Sequence, residues 1–155
     1  MAGTTIWVSD ETKKLLSKFK TSNYDSVIRK LINMNNPDKV YPREIKNLTV
    51  TVPSSTRITR EENQIVLDED VRITKVYIFF PPGCQDLVEI VMGAGSHEFA
   101  PKIISGDGKS VSIEPNRFVP AKTPIWAEVT NYDARNPHTP TIEIEIEKIR
   151  EVEVV

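Results

Sequence analysis

Apolar and polar positions divide the chain into two textures. From Thr4 to Val8 they alternate, so Ile6 and Val8 share one face of a short strand and Thr5 and Trp7 the other. The period then lengthens. Thr12, Leu15, Leu16 and Phe19 fall at helical spacing behind Ser9, a good N-cap, with Asp10 and Glu11 where a helix N-terminus favours acids. Thr21-Ser22-Asn23 reads as a turn. Beyond it Tyr24, Val27, Ile28, Leu31 and Ile32 form a broad apolar stripe of a second helix, which Asn35-Asn36-Pro37-Asp38 ends. A strand and two short helices cannot bury these stripes alone, which predicts that residues 1–35 pair with another chain.

Residues 36–46, with Pro37 and Pro42, read as a linker, after which the period shortens to two. Candidate strands are 48–52, 56–59, 64–67, 71–80, 87–92, 99–104, 110–113, 125–130 and 141–147, separated by turn residues. Gly106-Asp107-Gly108 predicts a hairpin turn. Short strands at this spacing predict an antiparallel β-sandwich, jelly-roll-like, over 47–155. The last strand alternates strictly from Thr141 to Glu147. Its isoleucines are expected in the core and its glutamates in an exposed, solvated row. Past Lys148 the phase slips, so 149–155 is expected as a bulged continuation or a tail. The predicted class is α+β, a helical head followed by a sandwich body.

Composition narrows the setting. Of 155 residues, 39% are hydrophobic and 27% charged, which describes a globular rather than a disordered chain. No apolar run approaches the ~20 residues that cross a bilayer, so no membrane partner is expected. The amino terminus lacks the pattern of a signal peptide. A cytoplasmic location is therefore expected, or a virion. Cys84, the one cysteine, has no partner for an internal disulfide or a cysteine zinc site. The net charge of −2 hides an asymmetry. Residues 1–50 hold nine basic and five acidic residues (+4), and 51–155 hold eleven and seventeen (−6). A basic head on an acidic body suits a polyanion at the head only.

The body names no chemistry. Cys84 is expected as a buried small apolar residue and His97 as a loop histidine. The polar stretch from Asn131 to Pro140 reads as a side-chain-stabilised turn, because its Asn, Asp and His spacing fits no metal cage. No enzyme activity, cofactor or metal is expected.

Residues 4–35 resemble a ribbon-helix-helix module, through the strand Thr5-Ile6-Trp7-Val8-Ser9, the acidic start Asp10-Glu11-Thr12 and the run from Tyr24 to Leu31. The resemblance implies an antiparallel ribbon shared by two chains and inserted in the major groove of double-stranded DNA. Thr5 and Trp7 would then face bases, with Ser22 and Asn23 offering backbone N–H groups to a phosphate and Lys13 and Lys14 adding contacts. Ile6, Val8, Leu15, Leu16, Phe19, Val27, Ile28 and Leu31 would form the dimer core. Trp7 departs from the polar residue common at its position. Its indole has one donor and no acceptor, so a clasp that joins subunits without reading DNA stays open as an alternative. The stretches 76–84, 87–90 and 131–138 resemble small β-sandwich proteins of phages and archaeal viruses. The leading expectation is a dimeric DNA-binding regulator whose β-sandwich senses a ligand or recruits a partner; the other is a structural assembly protein, as in a virus particle, that uses the head to join subunits into homodimers or larger homo-oligomers.

Overall fold

The computed structural model describes residues 41–149. The ribbon-helix-helix expectation for 4–35, with every DNA-contact and dimer-core residue named for it, lies outside the described residues, as does the tail from Arg150.

The longest strand explains much of the rest. Val71, Ile73, Val76, Ile78 and Phe80 are buried along Val71–Phe80 (β4), and the two-residue phase slips once, between Ile73 and Val76. The slip is a β-bulge. Thr74 is the extra residue opposite Glu145/Ile146, and its hydroxyl donates to Glu145 Oε1 at 2.7 Å. The bulge keeps both halves of the strand facing inward. It also turns Lys75, Tyr77 and Phe79 outward.

In chain order the strands are β1 (Arg43–Asn47), β2 (Thr56–Ile58), β3 (Gln64–Val66), β4, β5 (Val88–Ala94), β6 (His97–Glu98) and β7 (Ile104–Ser105). They continue with β8 (Lys109–Ile113), β9 (Arg117–Val119), β10 (Pro124–Asn131) and β11 (Thr141–Lys148). One antiparallel sheet runs β1-β11-β4-β8, with β9 also on β4. The other runs β2-β10-β5-β6, with β3 also on β10 and β7 on β5. Ile142, Ile144 and Ile146 from the first sheet meet Val88, Ile90, Met92, Ile125, Ala127 and Val129 from the second in one buried core. This is a β-sandwich arrangement, as the alternating pattern predicted.

Several expectations are corrected. The described chain is all-β, two antiparallel sheets with no helix among the described residues, rather than α+β. The helical part of that expectation rested wholly on residues before Asp38. The first strand is Arg43–Asn47, within and just past the stretch read as linker, whereas of 48–52 only Val52 makes a bridge, to His138. Residues 99–103 are not a strand. Pro101 has no N–H to give a ladder, and only the flanking β6 and β7 pair with β5. Gly106–Gly108 is not a hairpin turn, since β7 and β8 belong to different sheets and this turn carries the chain between them. The glutamate row is not open either. Glu147 is 5% exposed, held by Arg72 and Arg43 at 2.5 and 3.0 Å.

One large side chain is buried outside the shared core. Trp126 points from β10 to the outer face of the second sheet, opposite Gly93. A Cβ on Gly93 would lie 2.5 Å from the indole, so only glycine leaves it room. The indole N–H donates to the Gly95 carbonyl at 2.9 Å, and Arg60 covers the ring at 4.0 Å.

Candidate functional site

On the outer face of the first sheet, Tyr77 and Phe79 stand side by side on alternate positions of β4, 38% and 42% exposed. Their neighbours are fixed by register. Glu143 on β11 and Ser112 on β8 flank Tyr77, and Thr141 and Ser110 flank Phe79. The flanking side chains are short, so a groove of about 250 Å³ opens around the aromatic ridge, lined by Ser110 and Ser112 on one side and Thr141 and Glu143 on the other. That is smaller than the roughly 300–1,000 Å³ of small-molecule pockets. Glu143 makes no ion pair among the described residues, in contrast to Glu145 and Glu147, which bond Thr74, Arg43 and Arg72.

The two edges of this sheet differ in chemistry. β1 carries Arg43, Glu44 and Lys46, and its edge is ringed by ion pairs of Glu44 with Lys148 at 2.7 Å and with Lys46 at 2.8 Å. Those ammonium groups, Lys148 foremost, hold the Glu44 carboxyl down to about 2. β8 carries one charge, Lys109, at its end. Charges on an edge resist strand addition, so among the described residues β1 is guarded and β8 is not.

The polar loop between β10 and β11 is a closed network. Asn131, 1% exposed, donates to the Val52, Pro53 and Asn136 carbonyls. The Asp133 carboxylate accepts from the Arg135 and Asn136 backbone N–H groups and pairs with His138 Nε2 at 2.9 Å. These bonds, the Arg135 N–H first and His138 next, hold Asp133 well below the usual carboxylate range. The side chains of Asn131, Asp133, Asn136 and His138 serve the turn itself, as its composition suggested. Cys84 is fully buried, and burial pushes its thiol up, which disfavours the nucleophilic thiolate. His97 lies on the short β6, exposed, with Nδ1 3.2 Å from the Ser96 hydroxyl. Among the described residues no group of three His, Cys, Asp or Glu could hold a metal ion, and no helix is long and apolar enough to cross a membrane.

No protein-family model matches the chain, and no curated protein matches it. Among solved structures, the crystal structure of FlhE is similar over 70% of this chain and 98% of that one, at 14% identity and a TM-score of 0.39. So loose an overlap bears on neither fold nor function.

The groove went unseen in the sequence. Tyr77 and Phe79 sit in the apolar run 76–80, whose outward members are told from inward ones only once the bulge at Thr74 sets the phase. The available signal was the break in alternation at Thr74-Lys75.

Proposed function

We propose that the protein is a non-enzymatic assembly protein whose sandwich joins other copies through the outer face of its first sheet. The observation that carries this reading is the exposed Tyr77–Phe79 ridge beside a groove and an uncharged stretch of edge strand. Outward aromatic pairs on a sheet are costly to leave wet and mark interaction surfaces when they are contiguous. The described body holds twelve basic and sixteen acidic residues between 41 and 149, a net −4, which suits protein better than nucleic acid as its partner.

Light scattering on the full chain tests the reading. The mass should exceed one chain and rise with concentration, and the double variant Tyr77→Ser/Phe79→Ser should fall toward the monomer while its melting temperature changes little. An unchanged mass in the variant contradicts it.

A second reading keeps the DNA-binding regulator, favoured by the +4 charge of residues 1–50. It requires retardation of duplex DNA at about 50 mM salt that weakens steeply as salt rises and weakens again in Lys13→Ala/Lys14→Ala. No retardation at that salt removes it.

A further inference from the structure

We infer that β8 is a self-pairing edge, and that two copies join antiparallel about a two-fold axis at Val111 to make one continuous sheet. The inference rests on the assembly reading above and adds an edge contact to the face contact proposed there.

Backbone directions come first. The Ile142 carbonyl accepts from Leu48 N–H at 2.9 Å, and the Ile142 N–H donates to the Thr49 hydroxyl. Both polar backbone groups of Ile142 therefore face the β1 side. Antiparallel ladders alternate, so Glu143 and Thr141 bond Tyr77 and Phe79, and Ile78 turns its groups to Val111. One residue further the direction reverses again. The N–H and C=O groups of Ser110 and Ser112 point away from β4, out of the open edge, and have no partner among the described residues.

A second β8 satisfies them. With Val111 on the two-fold, Ser110 faces the partner's Ser112 as a hydrogen-bonded pair, twice over, and Val111 faces the partner's Val111 as the closer, non-hydrogen-bonded pair. Lys109 falls opposite the partner's Ile113, so no like charges meet. Faces are kept by this operation. Val111 and Ile113, already packed on the core, extend the apolar inner layer. The serines extend the outer face, and the two grooves merge into one trough floored by four serines and walled by Tyr77 and Phe79 of both copies. The guarded β1 edge cannot pair this way, because Glu44 and Lys46 are engaged in its ion-pair ring.

Val111→Cys and Ser112→Pro in the full chain test the arrangement. The two-fold brings the introduced thiols together, so Val111→Cys should form a disulfide-linked dimer under mild oxidation, while Ile45→Cys on the other edge strand and the wild type, whose Cys84 is buried, should not. Ser112→Pro removes one outward N–H without touching the bonds to β4 and should break the edge-joined pair, lowering the assembled mass about two-fold with the fold kept. If Val111→Cys stays uncrosslinked, and Ser112→Pro folds and associates like the wild type, self-pairing of β8 is overturned. If Tyr77→Ser/Phe79→Ser still dissolves the assembly in that case, the wider assembly reading survives. A wild type that is monomeric at every concentration overturns both.

Discussion

Single residues account for the loop that seemed richest in chemistry. Asp133 collects two backbone N–H groups, the Asn136 amide and the His138 ring, which makes its ionised form part of the fold. Its folded pKa is depressed, so the unfolded chain binds more protons in acid. The contribution to stability is present above the ordinary value of 3.8 and is lost as pH falls through and below it. Glu44, lowered to about 2 by Lys148 and Lys46, adds a loss of the same sign. Asp133→Asn should therefore unfold at lower urea than wild type at pH 7, with the gap closing as pH drops below about 4. A gap as wide at pH 2 as at pH 7 would mean that charge is not what Asp133 supplies. The turn-forming role of this loop was legible from its Asn and Asp residues. The pairing of Asp133 with His138 was not, because a five-residue separation fixes no geometry until the Val52–His138 bridge anchors the far end.

At the scale of elements, legibility followed burial on one face. β4, β10 and β11 were readable because apolar residues fill their inward positions from Val71 to Phe80, Ile125 to Val129 and Ile142 to Ile146. Ile144, central on β11 and fully buried against both sheets, should cost about 2–5 kcal/mol when cut to alanine, measured by chemical denaturation. A cost under about 1 kcal/mol would mean the core there collapses around the deletion. β1 was missed for the opposite reason. Its inward positions are Glu44 and Lys46, which sit at the sandwich margin in an ion-pair ring and resemble a linker. The turn at Gly106–Gly108 misled because a turn signal is local, whereas the choice of sheet for the next strand depends on β4 and β5, some twenty residues earlier.

Over the whole molecule, the alternating pattern predicted the sandwich of the described residues, and the all-β outcome there replaces the α+β expectation drawn from the head. The proposed assembly through the first sheet rests on what the two faces do with their aromatic residues. The second sheet folds its outward Trp126 under Arg60 and against Gly93, while the first leaves Tyr77, with the Lys75 ammonium 5.1 Å over its ring, and Phe79 partly exposed beside an edge that no charge ring guards among the described residues. Residue-resolved oxidative footprinting across a concentration series tests that difference, with Tyr132, 59% exposed in the loop between β10 and β11, as the internal reference. Labelling of Tyr77 and Phe79 should fall as the chain assembles while that of Tyr132 holds. Equal labelling of Tyr77 in the monomeric and assembled protein would contradict the account.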